Sequence, residues 1–421
     1  MTTSIPQRIL IAPSGFKGSL EADTVADAIA AGIRRVIPGV NTVTMPIPDG
    51  GEGTAKMLAQ STGGRLIHTR VTGPVGQKIP SHYALLGGTQ KGVAVVEMAA
   101  AAGLSLVPKD MRNPGLTTTY GVGELIAAAL DNPAVHTVLV GCGDSGTSDG
   151  GAGALTALGA KILDGAGQEI ELGGVHLAQA QKLDYSALHP RLAQVRLVLA
   201  LNQHNILTGP KGVARVFGPQ KGASPKQVEE LDAALTHWAN LLETTYAQKN
   251  QGTMHLNFHS GAGTGASGGL GAGLAFVGAE LTPRFEALID SGLAGLNVNS
   301  EIQHADLVVT AEGAIDFQTP KGKVPAEIAA RAQTVGAPVL ALAGSIGEKA
   351  YRVHDAGIDA FASIMPLPMG LEDALENGEE LLTNSTERCF RMILLGASLS
   401  ASMSTRKTTL TEEKQPLPAP L

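Results

Sequence analysis

VGCGDSGTSDGGAGALTAL, residues Val140–Leu158, joins two kinds of secondary structure. The apolar run Thr137–Val140 leads into it, and the Ala- and Leu-rich run Ala152–Ala160 leads out. Between them lie five glycines, two serines, one threonine and two aspartates. A strand that enters such a loop and leaves as a helix can present backbone N–H groups to an anion. Glycine lets the main chain approach a phosphate with no Cβ in the way. Gly143, Gly150 and Gly151 are therefore candidate nucleotide-phosphate contacts. Asp144 and Asp149 would repel that anion. They suit a metal that travels with the phosphates, or a hydroxyl that needs orienting. A plain flexible loop is the competing reading, because no Walker lysine follows.

The same pattern occurs earlier in the chain. Arg8–Ala12 reads as a buried strand, stops at Pro13–Leu20 (PSGFKGSL) and is followed by a helix over Glu21–Val36. Val25, Ala28, Ile29, Gly32 and Ile33 recur at helical spacing. Asp23 near the start and Arg34–Arg35 at the end match the helix dipole. Ser14 and Lys17 thus lie on a strand-to-helix loop, where parallel α/β sheets concentrate function. A second strand, Asn41–Ile47, ends in PDGGEGT, which carries Asp49, Gly50, Gly51 and Glu52.

From about Val71 the texture changes to short β-like runs divided by Gly-Gly and Gly-Pro turns, which reads as hairpins. A strand at Val195–Leu201 opens onto Asn202–Asn205, and Lys221 follows in a Gly-Pro-rich stretch. A long helix spans Lys226–Gln248, with Trp238 in its core face. Gly261–Gly273 is a third glycine-rich segment, for which close helix packing is as good a reading as ligand contact. From Glu286 the strand–helix rhythm returns. The strand Ala305–Thr310 leads to Glu312 and Asp316, then to Lys321 and Lys323 before a helix at Pro325.

A chain of 421 residues is too long for one ordinary core, so two domains are expected. Aromatic content is 3% and net charge is −7, with no basic stripe, so no nucleic-acid partner is expected. Two cysteines allow no disulfide framework and fit a reducing, cytoplasmic setting. The opening residues do not read as a signal peptide, and no apolar run is long enough for a membrane span.

Taken together, strand ends supply Lys17, Asp49, Glu52, Asp144, Asp149, Lys221, Glu312, Asp316, Lys321 and Lys323. Phosphoryl transfer needs this mixture: lysines to neutralise phosphate charge, and carboxylates to hold Mg²⁺ or orient the attacking hydroxyl. No zinc-ligand spacing, Gly-x-Ser-x-Gly elbow or dinucleotide fingerprint stands out.

At this point the chain resembles the two-domain bacterial glycerate kinase family, of the glycerate 2-kinase-like type. The matching motifs are APSGFKGSL, PDGGEGT, VTGPVG, EMAAAAGL, TTTYGVGEL, SDGGAGALTALG, TGPKGVARVFGPQKGAS, ASGGLGAG and EGAIDFQT-x-KGK. They run in order over most of the chain. The resemblance implies ATP- and Mg²⁺-dependent phosphorylation of D-glycerate at the 2-hydroxyl, giving 2-phosphoglycerate. It also implies an α/β fold in which a Rossmann-like parallel-sheet domain is built from both chain ends, 1–72 and 286–398. A second α/β domain, 73–285, is inserted, and residues 400–421 read as a disordered tail. Lys17, Asp49, Asp149, Asn202, Glu312 and Asp316 are then the expected catalytic set. Ser14, Gly50, Gly51, Gly143, Gly150, Gly151, Lys221 and Lys323 are expected to bind the nucleotide, and Asp144, Asp149 and Glu312 the metal. The partners are ATP and a small hydroxy acid, with no nucleic acid and no membrane; a homodimer is compatible with this reading.

Three positions depart from the family pattern. Asn202 stands where the family has an acid. Ala314 replaces an arginine that could pair with a carboxylate or phosphate. Asp144 adds a carboxylate. The rival readings are a relative that phosphorylates another small hydroxy acid or polyol, and a weakly catalytic metabolite-binding paralogue. His204, beside Asn202, is a candidate base weighed against a loop histidine with no role.

Overall fold

The computed structural model describes residues 5–252 and 254–412. Its strands in chain order are β1 Arg8–Ile11, β2 Asn41–Thr44, β3 Arg65–Thr72, β4 Lys78–Leu85, β5 Val93–Glu97, β6 Thr137–Gly141 and β7 Lys161–Leu163. They continue with β8 Lys182–Asp184, β9 Arg196–Leu201, β10 Glu280–Pro283, β11 Leu307–Ile315, β12 Val339–Ile346 and β13 Ala360–Ser363. The chain divides into two units, Met1–Ile47 with Asn297–Leu421, and Pro48–Leu296.

The unit made from both chain ends holds a five-stranded parallel sheet in the order β13-β12-β11-β1-β2. Counted within the unit this is 2-1-3-4-5, a doubly wound order whose switch point lies between β1 and β11. The helices Ala22–Val36 and Gly378–Glu412 pack together on this unit. The spacing that predicts the first helix is the spacing of its buried face: Val25, Ile29 and Ile33 join Ile9, Ile11 and Phe390 in one core.

The other unit holds a six-stranded sheet, β10-β9-β6-β5-β4-β3. The expected hairpins are there, since β3–β4 and β4–β5 are antiparallel, while β5, β6, β9 and β10 run parallel. β6 reads TVLV because both of its faces are buried. Val138 and Val140 enter one core cluster and Leu139 another. Trp238 is fully buried among Leu235, Phe258 and Phe276. Among the described residues no helix is long and apolar enough to cross a membrane.

Two expectations need correction. The boundaries fall at 47/48 and 296/297 instead of 72/73 and 285/286. β3 pairs with β4 along its whole length, from Arg65↔Leu85 to Thr72↔Lys78, so the chain has already changed sheets before residue 73. At the far end Ala287 and Leu288 pack with Val198 of β9. Secondly, the expected disordered tail is helical as far as Glu412. The remainder of that segment, 413–421, lies outside the described residues.

Glycine 123 lies where the helices Tyr120–Leu130 and Ala152–Ala157 meet. A Cβ there would strike the Ala154 carbonyl and come within 2.7 Å of Ala157 Cβ. Gly123→Ala is therefore expected to lower stability by about 1–3 kcal/mol through overpacking. Gly396 is helical, exposed and open around its Cβ position. Gly396→Ala should instead stabilise by about 0.5–1 kcal/mol. Denaturant unfolding of both variants checks the pair of signs.

Candidate active site

In the inserted unit, Glu97, Gly141, Leu201 and Pro283 end four parallel strands at one edge of the sheet. Ligands of open α/β sheets bind at such carboxyl edges. The PDGGEGT loop is laid against this edge. Gly143 N donates to Gly50 O at 2.9 Å, and Arg284, just after β10, donates to Asp49 O at 3.0 Å. The fit depends on glycine: a Cβ on Gly141 would come within 2.5 Å of Gly50 O, and one on Gly143 within 2.5 Å of Gly51 Cα.

This packing overturns one expectation. The amides of Gly50, Gly51, Gly143, Gly150 and Gly151 do not wait for a phosphate. Gly50 N donates to Thr54 Oγ1, Gly51 N to Asp49 Oδ1 and Gly143 N to Gly50 O. Gly150 N donates to Gly268 O, and Gly151 N to Asp149 Oδ1. The glycines serve loop-to-loop approach instead. The third glycine-rich segment completes it: Ser267, Gly268 and Gly269 are all left-handed, and a Cβ on Gly268 would collide with Thr147 O.

Asp149 is also recast. Its carboxylate is completely buried and accepts from Thr119 N at 2.7 Å, the Thr118 and Thr119 hydroxyls, Gly151 N and Gly153 N. Burial raises its pKa, and these donors oppose the rise. A carboxylate so occupied ties the Thr117–Thr119 turn to the start of the helix Ala152–Ala157; it has no oxygen to spare for a metal or substrate. Lys221 is likewise interior, donating to Ser145 Oγ at 2.9 Å and Thr147 O at 2.6 Å, in place of a nucleotide. Asn202 is exposed and its side-chain oxygen closes a turn by accepting from His204 N at 3.0 Å. His204 itself is exposed.

What the edge does bring together is Asp49 with Asp144. Asp144 adopts a left-handed φ of 54°, and its Oδ2 accepts from Glu52 N at 3.2 Å. A Cβ on Gly51 would collide with Asp144 Oδ2 and come within 2.9 Å of Asp49 Oδ1. Two carboxylates therefore flank one glycine. Mg²⁺ carried by a nucleotide needs only one or two carboxylates, with waters and phosphate oxygens completing its shell, so this pair fits it. Asp149 does not, its oxygens being already occupied, and among the described residues no three His, Cys, Asp or Glu side chains gather into a metal site.

Glu97 and Arg284 belong to this site and were missed. Glu97 is buried at the end of β5, and its carboxylate accepts the amides of Ala55 and Gly53 at the start of the helix Thr54–Thr62. Burial pushes its pKa up to about 7, helped by the charges of Glu52 and Asp49. Its signal was present in the sequence, as an acid ending an apolar strand in EMAAAAGL. Arg284 had no such signal.

In the chain-end unit, the Pro13–Leu20 loop follows β1 at the switch point. Ser14 is buried and tied to Ala311 O through both its amide and its hydroxyl, so it positions the loop. Lys17 is exposed, and Gly313 of β11 faces the Phe16–Lys17 backbone. Lys323 gathers the acids at the end of β11: its Nζ is 3.3 Å from Glu312, 3.7 Å from Asp316 and 3.0 Å from Ala314 O. Asp316 also accepts from Gln318 N, and Lys321 lies over the Phe317 ring.

Asp149→Asn should cost about 3 kcal/mol or more of stability, because an amide presents a donor to several buried donors. Thermal and denaturant unfolding test this. Glu97 makes a pH prediction. Its folded-state pKa is raised from 4.5 to about 7, so between these values the unfolded chain releases a proton that the folded chain keeps. Stability contributed by this group falls as pH rises through that window, by about 3 kcal/mol in total. Glu97→Gln should remove most of the fall between pH 5 and pH 8; an unchanged difference between the two pH values would contradict it.

The comparisons agree with one another. The Glycerate kinase family matches over residues 9–394. A Bacillus subtilis (strain 168) protein named glycerate kinase is 43% identical over 397 residues, covering 94% of this chain and 99% of its own length. An Escherichia coli (strain K12) protein named glycerate 2-kinase is 39% identical over 92% of this chain and 98% of its own. A crystal structure of a candidate glycerate kinase 2 from Salmonella typhimurium LT2 superposes with a TM-score of 0.76 at 39% identity, covering 94% of this chain and 100% of that one. The chain belongs to the glycerate kinase family and is a phosphotransferase with an alcohol group as acceptor.

Proposed function

We propose that the chain transfers the terminal phosphoryl group of ATP to the 2-hydroxyl of D-glycerate, releasing ADP and 2-phosphoglycerate. The observation that carries this reading is the Asp49–Asp144 pair flanking Gly51 at the carboxyl edge of four parallel strands. The names of the relatives support glycerate as acceptor, and one of them supports the 2-position. Magnesium bound with the nucleotide would supply charge neutralisation on the phosphate oxygens, and Asp49 and Asp144 are the residues that would hold it. Lys17, exposed on its strand-to-helix loop, neutralises phosphate charge. Glu97 fixes the loop that carries Asp49 and Glu52. An uncharged Asn202 is tolerable, because a loose phosphoryl-transfer transition state needs little base catalysis. The same reading places the enzyme in the cytoplasm, acting on free metabolites.

A different small hydroxy acid or a polyol is the second reading. Asn202 and Ala314 favour it: the first stands in place of an acid that could accept the hydroxyl's proton or hold Mg²⁺, the second in place of an arginine that could pair with a substrate carboxylate.

ADP release with MgATP is measured across a panel of small hydroxy acids and polyols that includes both glycerate enantiomers. D-Glycerate should give the highest kcat/KM; a different best acceptor selects the second reading, and no turnover with any acceptor contradicts both. Lys17→Ala should lower turnover about 100-fold with folding intact, the scale of one lost electrostatic stabiliser.

A further inference from the structure

Lys221 carries a buried amine that the proposed reaction does not use. It is 3% exposed and hangs from the turn Pro219–Lys221. Its two acceptors, Ser145 Oγ and Thr147 O, straddle Gly146 and follow directly on Asp144. Asp144 is a non-glycine residue in a left-handed conformation, which persists only when the surroundings hold it there. On one side the Asp144 carbonyl accepts from Leu104 N at 2.9 Å. Beyond it the chain is held at Ser145 and Thr147 by Lys221, and between them at Gly146, whose N donates to Ala102 O at 2.8 Å and whose O accepts from Thr117 Oγ1 at 3.0 Å. Burial pushes the Lys221 amine down to about 7, opposed by the charge of Asp149. Either protonation state keeps at least two N–H groups for the two acceptors, so the tie does not depend on the charge.

We propose that Lys221 is a positioning residue of the reaction: bonded to Ser145 and Thr147, it keeps Asp144 in the conformation that faces Gly51. This rests on the role given to Asp144 in the proposed function. It separates Lys221 from the exposed lysines, because both acceptors of its amine are protein atoms.

The test is a double-mutant cycle on kcat/KM for MgATP, with melting temperature measured alongside, for Lys221→Met, Asp144→Ser and the double variant. Lys221→Met alone should lower kcat/KM on the order of 100-fold, as expected from misplacing a reacting group by about 1 Å. If Lys221 acts through Asp144, the double variant should be no more than about 3-fold worse than Asp144→Ser. Losses that multiply would overturn the proposal, as would undiminished kcat/KM in Lys221→Met. Should Lys221→Met fail to fold, Ser145→Ala removes one acceptor and leaves the amine bonded to Thr147. The same lack of additivity with Asp144→Ser is then expected, and multiplying losses again overturn the proposal. Wild-type kinetics in Asp144→Ser is a separate failure: it removes the role of Asp144 in the proposed function, and with it the path from Lys221.

Discussion

Close approach of backbone to backbone, possible only where at least one partner is glycine, is the constraint on which the site in the inserted unit depends. Three segments meet there. The loop after β6 receives Gly50 and Gly51 against Gly141 and Gly143, and receives Gly268, Gly269 and Gly273 against Thr147, Gly150 and Gly151. A single Cβ at most of these points would enter another main chain. The glycines are thus a packing surface, and their amides are consumed in holding the loops together. Trp238 seals the back of this junction by donating to Gly150 O at 3.0 Å from a fully buried position.

Charge in this unit is sorted by depth. Asp149, Lys221 and Glu97 are interior, each bonded to backbone or hydroxyl groups, and each has its pKa moved by burial. Such groups are costly to bury and tolerable only when their hydrogen bonds are met, so they specify one loop geometry. Asp49 and Asp144 stand at the sheet edge instead, neither of them fully buried, and flank Gly51. The chain-end unit follows the same division. Ser14 is buried and holds its loop, while Lys17 is exposed on it.

Much of this was legible in the sequence. The strand–helix alternation, the hairpins after Val71 and the core role of Trp238 follow from periodicity and turn residues. The domain boundary was not legible, because the chain changes sheets inside PDGGEGT, and local sequence carries no mark of which sheet a loop serves. The helix at 400–412 was missed because a helix already nucleated extends at little cost through a polar segment. For the site, a glycine-rich loop reads the same whether it faces an anion or another loop, and only the position of its partner decides. Asp144 and Asp149 likewise look equivalent in GDSGTSDGG. Burial separates them, and burial is set by Thr118 and Thr119, some thirty residues earlier in the chain.

In the proposed reaction the carboxylate pair around Gly51 holds the metal that travels with the nucleotide. Gly51→Ala tests it most directly, because its backbone does not require glycine by sign of φ, yet its Cβ would collide with Asp144 Oδ2 and crowd Asp49 Oδ1. Steady-state kinetics with MgATP and D-glycerate should show kcat/KM reduced on the order of 100-fold, with the melting temperature nearly unchanged. Wild-type kcat/KM in a folded Gly51→Ala variant would contradict the account, because the two carboxylates could then be displaced without consequence for phosphoryl transfer.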